Sequence, residues 1–406
     1  MGGSGSDPHA TTAAPTQTRP RPRARDIGIV IGNALQPGPL NAITDVPRVE
    51  VGTAEKFVGD DTSTDPSARN KFVRSGVTII HVDGLQGGAL AAPVFAGVGV
   101  LQGSGELTGS TFITESGQLT DDIAITGTMQ VGAVHHGMQN HNPAVLKLPI
   151  VAETYDRMTA PLAPNQAGPE YVEEAFANLT NGKIKEGNVG GGASMVSFGL
   201  KGGTGTSSRL VPSRSPNRGP YTVGALIQAN HGSPADLTIA GVPVGLTLAK
   251  EGYMDPWFPT YPDGKTVPQL KDGDGSIIVV LATDAPLLPH QCSAVARRAG
   301  VGISRGGGGT GFFSGDIFLC FSTARPLTDP VPPLYESRIE PVSTYTVEAV
   351  NNETLDAIFR AAADATEEAV LNALFAAEEM EGYTGRRWRA LPVERVKELL
   401  KEAGKI

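Results

Sequence analysis

Short apolar runs alternate with clusters of glycine, proline and aspartate between Ile27 and Phe321. Runs rich in β-branched side chains and bounded by such clusters are typical of β-strands. The pattern predicts strands at Val77–Val82, Val94–Leu101, Ile123–Thr126, 193–200, 221–228, 276–282 and 316–321. This part of the chain is therefore expected to be rich in sheet.

Apolar residues at helical spacing occur in three other places. They predict a helix over 170–179, a second over Leu287–Ala299 that ends at Gly300, and a C-terminal helical region with Asn352 as its N-cap. Strands framed by helices predict a layered α/β sandwich, with the sheets in the middle and the helices outside.

Composition narrows the class of protein. The chain has 406 residues, of which 40% are hydrophobic and 18% charged, as expected of a globular protein. A net charge of −9 argues against nucleic acid or an anionic membrane surface as a partner. No apolar stretch approaches the roughly 20 residues of a membrane helix. The two cysteines, Cys292 and Cys320, are expected to be free and buried.

The first 25 residues contain no apolar run that could form a core or a secretory signal. Residues 1–25 are therefore predicted to be a disordered tail, and the protein is predicted to be cytoplasmic.

The most informative peptide bond joins Gly232 to Ser233. A β-like run ends just before it, and Pro234 restricts Ser233 to extended geometry. If the bond were cut, Ser233 would carry both a hydroxyl and an α-amine with a pKa of about 7.7–8. One residue could then be nucleophile and proton acceptor together. The alternative is an ordinary turn, since these residue types favour turns.

Several blocks around this bond occur in a fixed order. They are Gly187–Gly192, Lys201–Arg209, Tyr221–Leu226, Asn230–Ser233 and Ile239–Gly245. Together, over residues 23–390, they resemble the L-aminopeptidase/D-esterase and β-aminopeptidase family of self-cleaving serine peptidases. The resemblance implies a four-layer αββα sandwich of the N-terminal-nucleophile kind and a homotetramer of processed heterodimers. It implies short peptides or amino-acid amides and esters as substrates, and no cofactor or metal.

The resemblance also implies a mechanism. Ser233 attacks the carbonyl of Gly232, and the precursor becomes two parts of one catalytic domain, 26–232 and 233–406. In the mature enzyme Ser233 attacks the carbonyl of the substrate's N-terminal residue, and its own amine takes the proton. The preference for L-, D- or β-amino acids stays open.

Other site residues follow from the same resemblance. Asn188 is expected to donate to the oxyanion. The family's Ser-x-carboxylate pair maps onto Ala282-Thr283-Asp284, with Asp284 as the carboxylate, and because Ala282 replaces the serine, Thr283 or Ser276 would supply the hydroxyl. Glu115 is expected to bind the substrate's ammonium group, the alternative being a solvated glutamate.

Competing motifs carry less weight. Gly302–Gly306 matches G-x-S-x-G but lacks the strand before it and the helix after it. The Gly187–Gly192 and Gly202–Gly205 blocks lack the P-loop register. His135, His136 and His141 lack the spacing of a zinc site. His231 is a second candidate for the base. Two other functions stay open: an acyltransferase of the ornithine acetyltransferase kind, and a non-catalytic oligomeric scaffold.

Overall fold

A computed structural model of the chain describes residues 21–59, 71–85, 93–141, 148–156, 158–159, 163–215, 217–254, 275–324, 342, 344–383, 385 and 387–406. Within these ranges two large sheets form the centre of the molecule. One has four strands in the order β1-β2-β5-β6, and the other has six in the order β4-β3-β12-β11-β10-β9. Two short hairpins, β7-β8 and β13-β14, complete the strands.

The strands have the following bounds. In chain order, β1 to β14 are Val49–Val58, Val73–Val82, Val94–Gly103, Gln118–Leu119, Ile123–Gly127, Ile150–Thr154, Val196–Ser197, Leu200–Lys201, Gly203–Val211, Tyr221–Asn230, Ser276–Thr283, Gly315–Ser322, Met380–Glu381 and Arg387–Trp388. The α-helices α1 to α8 are Ser110–Ser116, Val131–His141, Pro169–Ala177, Val244–Lys250, Pro289–Ala296, Ala299–Arg305, Asp356–Ala376 and Val393–Glu402.

The alternation of side chains along β11 shows how the layers stack. Ile277 and Val279 pack into a core shared with the C-terminal helices, including α7. Ile278 and Val280 point the other way, into a core shared with the four-stranded sheet. Successive side chains of a strand face opposite sides, so β11 is buried on both faces.

The fourth layer covers the four-stranded sheet. Ile79 and Ala124 on its outer face pack against Val134 of α2 and Val172 of α3. The order helix, sheet, sheet, helix confirms the predicted αββα sandwich.

Most predicted elements are present. The strands expected at 77–82, 94–101, 123–126, 221–228, 276–282 and 316–321 all lie within strands, and the helix expected at 170–179 corresponds to α3. The strand expected at 193–200 is wrong. That segment contains a 3-10 turn, Gly190–Ser194, and then the β7-β8 hairpin, whose turn residues Phe198 and Gly199 have φ values of 52° and 73°.

The prediction that a helix ends at Gly300 is also wrong. The helix breaks after Ala296, and Gly300 lies inside the next helix, α6. The N-cap of the C-terminal helical region is shifted by one residue. Asn351, not Asn352, caps it by accepting a hydrogen bond from the amide of Glu353.

The segment 21–25 is ordered, which corrects part of the predicted tail. Arg21 donates to the carbonyls of Phe375 and Leu391, and Arg25 pairs with Glu368 at 2.7 Å. Between them, Arg23 donates to the carbonyl of Thr206 in β9. The three guanidinium groups, at alternate positions, therefore fix this segment to the C-terminal part of the fold and to β9. Residues 1–20 lie outside the described residues.

Two further predictions concern cysteines and membranes. Cys292 and Cys320 are both free and buried, as expected. Within the ranges given above, no helix combines the length and the hydropathy required to cross a bilayer.

Candidate active site

Ser233 lies just beyond the end of β10, where the extended chain enters a 3-10 turn, Pro234–Asp236. Its φ and ψ are −87° and 147°, the extended geometry that a following proline imposes. Its carbonyl accepts a hydrogen bond from the amide of Asp236 at 3.0 Å. The strand-to-turn position expected from the sequence is confirmed.

Gly232 is a position that requires glycine. Its φ is +85°, in the left-handed region, and a Cβ added there would lie 2.2 Å from Cε1 of Phe198. The α-carbon of Gly232 therefore packs directly on an aromatic ring, which no residue with a side chain could do without displacing that ring.

The β7-β8 hairpin holds the residues just before Gly232. The amide of Val196 donates to Oδ1 of Asn230 at 2.9 Å. The carbonyl of His231 accepts from the amide of Phe198 at 2.9 Å and from the Ser197 hydroxyl at 2.8 Å. The chain on the amino side of the candidate cleavage bond is thus fixed by three hydrogen bonds.

His231 is poorly suited to act as the base. Its ring is buried, meets the ring of Phe198 edge-on at 5.1 Å, and has Nδ1 3.5 Å from the hydroxyl of Ser197. Burial lowers the pKa of His231 to about 3. A base is most effective when its pKa is near the working pH, so this environment favours the α-amine of Ser233.

Asn188 lies at the same end of the six-stranded sheet as Ser233. Its neighbour Gly187 exchanges backbone hydrogen bonds with Thr204, which pairs with Gln228 of β10. The Asn188 side chain bonds to the backbone of Glu378, from Nδ2 to the carbonyl at 2.9 Å and from the amide to Oδ1 at 3.1 Å. One N–H of the amide group remains available as a donor.

The strand register does not bring Thr283 and Asp284 to Ser233. In the antiparallel pair of β10 and β11, Thr283 lies opposite Val223, at the other end of β10. That separation is roughly 20 Å, at about 3.3 Å per residue. Thr283 donates to the carbonyl of Thr222, and Asp284 accepts from the amide of the same residue. The expectation that these two residues support the nucleophile is therefore corrected, and their contacts are structural.

Ser276 is the hydroxyl that the register places at the correct end. It lies opposite Asn230, and the adjacent Gly275 approaches the backbone of His231 so closely that an added Cβ would be 2.8 Å from its Cα. The Ser276 hydroxyl donates to the carbonyl of Gly275 at 2.6 Å.

A buried carboxylate that sequence reasoning missed lies two strands away at this same end. Asp316, at the start of β12, accepts a hydrogen bond from Ser314 at 2.5 Å, and its other oxygen has no hydrogen-bond partner among the described residues. Burial raises the pKa of Asp316 to about 6. Ser314 and Asp316 have Ser-x-carboxylate spacing, and this spacing just before an apolar strand is the signal that could have identified them.

Glu115 is not near Ser233 within this chain. It is exposed at the end of α1, which leads directly into β4. β4 pairs with Val94 and Phe95, the first residues of β3, whereas the last residue of β3 lies opposite the first residue of β12. Glu115 therefore lies near the opposite end of the sheet, and the expected contact with substrate at Ser233 is corrected for the single chain.

The competing motifs have structural roles. Ser304 of the G-x-S-x-G match lies inside α6 and donates to the carbonyl of Gly300, so it is not at a strand-to-helix turn. His141 stacks on Phe176 with a centroid distance of 3.6 Å and bonds to Glu173.

Comparison with known proteins bears on this site. The model of peptidase family S58 matches residues 41–388. The chain is 38% identical over 389 residues to beta-peptidyl aminopeptidase BapA of Sphingosinicella microcystinivorans, covering 94% of this chain and 92% of the relative.

Two solved structures are similar over almost their whole length. A Burkholderia sp. beta-aminopeptidase has a TM-score of 0.77 and 40% identity, covering 94% of this chain and 99% of that one. The L-aminopeptidase D-Ala-esterase/amidase of Ochrobactrum anthropi, described as a variant of the Ntn hydrolase fold, has a TM-score of 0.77 and 39% identity over 95% and 99%. The fold expected from the sequence is confirmed.

Proposed function

The chain belongs to peptidase family S58, and we propose that it is a serine aminopeptidase that activates itself by cutting its Gly232–Ser233 bond. The observation that carries this proposal is the geometry of the bond. A position that requires glycine, because its φ is +85° and its α-carbon packs on the ring of Phe198, precedes a serine held in extended geometry just beyond the end of a strand.

Self-cleavage is an N-to-O acyl shift followed by hydrolysis. The Oγ of Ser233 forms a bond to the carbonyl carbon of Gly232, the C–N bond breaks, and the Oγ proton passes to the departing amide nitrogen. Water then hydrolyses the ester, leaving a carboxylate on Gly232 and restoring the Ser233 hydroxyl. The product residue has a free α-amine next to its hydroxyl.

The mature enzyme uses the same hydroxyl on its substrate. Oγ attacks the carbonyl of the substrate's N-terminal residue, the scissile C–N bond breaks, and the α-amine of Ser233 takes the Oγ proton and passes it to the leaving amine. Water then hydrolyses the ester on Oγ, which releases the N-terminal residue and restores the Ser233 hydroxyl. We propose Asn188 as a donor to the oxyanion, a type of contact that contributes on the order of 3 kcal/mol. We propose Ser276 as a supporting hydroxyl in place of Thr283, with Asp316 and Ser314 as the nearby Ser-x-carboxylate pair.

We propose short peptides and amino-acid amides or esters as substrates, β-amino acids included. The support is that relatives are named as a beta-peptidyl aminopeptidase and as an L-aminopeptidase D-Ala-esterase/amidase. A panel of aminoacyl p-nitroanilides with L-, D- and β-residues tests this proposal, and turnover of none of them would overturn it.

A requirement for a free substrate amine gives a separate prediction. N-acetylation removes the charge and adds bulk at the group by which an aminopeptidase selects its substrate. Acetylated versions of good substrates should therefore lose about 10²-fold or more in kcat/KM. A site whose polar groups hydrogen-bond to a substrate group rejects an analogue that lacks this group, because the polar groups of the site are then left unpaired. Turnover of acetylated and free substrates at equal rates would indicate an endo-acting amidase or esterase.

Ser276 and Thr283 form a matched pair of substitutions in one strand. Ser276→Ala should lower kcat about tenfold or more because it removes a hydroxyl beside the nucleophile. Thr283→Ala should leave kcat within about twofold and lower only stability, by about 1 kcal/mol, since its hydroxyl bonds to Thr222. Steady-state kinetics with urea unfolding separates the two, and loss of kcat in Thr283→Ala alone would reverse the assignment.

We propose that the protein is a homo-oligomer and, from its sequence, cytoplasmic. Among the described residues, the outer side of β3 pairs with β4 at Val94 and Phe95 and bonds to Gly117 from the amide of Ala96, while Val100 and Leu101 farther along it are exposed. Open strand edges and exposed apolar patches commonly mark interfaces. Size-exclusion chromatography with light scattering measures the molar mass of the assembly and so tests the homotetramer that the family resemblance implies.

A further inference from the structure

Phe198 has a strained backbone next to the cleavage bond. Its φ of 52° lies in the left-handed region, which bulky L-residues rarely adopt. With Gly199, at φ 73°, it forms the two-residue turn of the β7-β8 hairpin, a turn whose first position favours asparagine or aspartate. Backbone strain of this kind is unfavourable and clusters at functional sites.

The strained residue touches both residues that precede the bond. The amide of Phe198 donates to the carbonyl of His231 at 2.9 Å, and its ring lies over the α-carbon of Gly232. The same carbonyl also accepts from the hydroxyl of Ser197 at 2.8 Å. Two hydrogen-bond donors and the ring of Phe198 therefore fix the positions of His231 and Gly232, the residues just before the bond.

A buried ammonium group holds the base of the hairpin. Lys201 is fully buried, and its Nζ donates to the carbonyls of Gly192, Met195 and Gly202 at 3.2, 3.0 and 2.8 Å. The amide of Gly202 also donates to the carbonyl of Met195, which closes the hairpin. Only a charged ammonium can donate to three acceptors at once, so all three bonds form only while Lys201 is protonated, a state that burial opposes by lowering the pKa of Lys201 to about 7.

We propose that the segment Met195–Gly202, here called the cleavage clamp, positions the Gly232 carbonyl for attack by Ser233 and is not needed to hydrolyse substrates afterwards. The inference rests on the proposed self-cleavage. On the other side of the bond, Pro234 and the hydrogen bond from Asp236 fix Ser233. Holding both sides removes the entropic cost of bringing Oγ and the carbonyl carbon together. Ser197, Phe198 and Lys201 are positioning residues.

Phe198→Asn tests the role of the Phe198 ring. Asparagine suits the left-handed turn and keeps the backbone donor, but it removes the ring that packs on Gly232. Because that ring is fully buried in the core, relief of the backbone strain offsets only part of its loss, and precursor stability, measured by urea unfolding in a Ser233→Ala background, should fall while the variant stays folded. Self-cleavage, followed by intact mass after rapid refolding, should slow about tenfold or more. The kcat of the fully processed variant should stay within about twofold of wild type.

A pair of serine variants provides the matched control. Ser197→Ala removes a donor to the carbonyl of His231, whereas Ser207→Ala removes an equally buried hydroxyl that bonds to Asn41 at 2.9 Å. Both should lose stability, and Ser207→Ala should lose at least as much, because the Ser207 hydroxyl also accepts a hydrogen bond from Nη1 of Arg209 at 3.0 Å. Only Ser197→Ala should slow self-cleavage, and it should do so without lowering the kcat of processed enzyme.

The outcomes are distinguishable. Wild-type protein that stays one chain overturns the proposed self-cleavage itself. Wild-type protein that is cut, with Phe198→Asn and Ser197→Ala cut at the same rate, overturns the clamp alone. A kcat that falls in parallel with the rate of self-cleavage also overturns the clamp, because the hairpin would then serve both reactions.

Discussion

Ser233→Ala is expected to stay a single chain and to lose aminopeptidase activity by about 10⁴-fold or more. The variant has no oxygen to attack Gly232 and none to form an acyl-enzyme, so both reactions fail together. Intact-mass analysis under denaturing conditions should show one chain for the variant and two for wild type. N-terminal sequencing of the second wild-type fragment should begin at Ser233.

Ser304→Ala is the matched control. Ser304 is the serine of the G-x-S-x-G match, but its hydroxyl donates to the carbonyl of Gly300 inside α6. This variant should be processed and active at wild-type level. A fragment that begins elsewhere, or activity lost with Ser304 and kept with Ser233→Ala, would show that the nucleophile has been assigned wrongly.

Glu368→Gln is expected to lower the free energy of unfolding by about 3–5 kcal/mol. Glu368 and Arg209 are both fully buried and pair at 2.7 Å, and Arg25 also pairs with Glu368 at 2.7 Å. The substitution keeps the shape of the side chain but leaves two guanidinium groups without their shared carboxylate. An uncompensated buried charge is among the most unfavourable changes that a core can undergo.

Urea unfolding of the Ser233→Ala precursor, with and without Glu368→Gln, measures this loss in a single intact chain. Glu398→Gln is the control, since Glu398 pairs with Arg395 at 2.9 Å but is 62% exposed. Exposed pairs contribute about 0–1 kcal/mol. Equal losses for the two variants would mean that burial does not determine the strength of the Glu368 contacts.

The position of Ser233 and the layers of the fold could be predicted because their signals are local. A β-rich run, a glycine, a serine and a proline in succession specify where Ser233 lies and which backbone geometry it adopts. Apolar runs separated by turns predict strands whatever their partners. The sequence does not predict β9, because glycines such as Gly203 and Gly205 are typical of loops. In the structure Gly205 lets α7 approach the sheet, since a Cβ at this position would lie 2.1 Å from the carbonyl oxygen of Ala369.

The errors at the site concern which residues meet across strands. Thr283 follows a strong apolar run in sequence, and nothing local shows that this run is antiparallel to β10, so that Ser276 rather than Thr283 lies opposite Asn230, at the end of β10 that leads to Ser233. Glu115 was assigned without knowledge of the pairing of β4 with β3. Ser314 and Asp316 have Ser-x-carboxylate spacing in the sequence, but only the fold shows that Asp316 is buried and that it lies at the same end of the sheet as Ser233.

The order of strands in the six-stranded sheet has a consequence for the lifetime of the enzyme. β11 and β12 belong to the part after Ser233, and they lie between β3 and β10, which belong to the part before it. While the precursor is continuous, assembling this sheet is a unimolecular event. After the proposed cut, the same sheet could be rebuilt only when two separate polypeptides met, so recovery from denaturation would depend on concentration. The time for which each molecule stays active would then depend on its rate of unfolding, because an unfolded molecule would rarely reassemble.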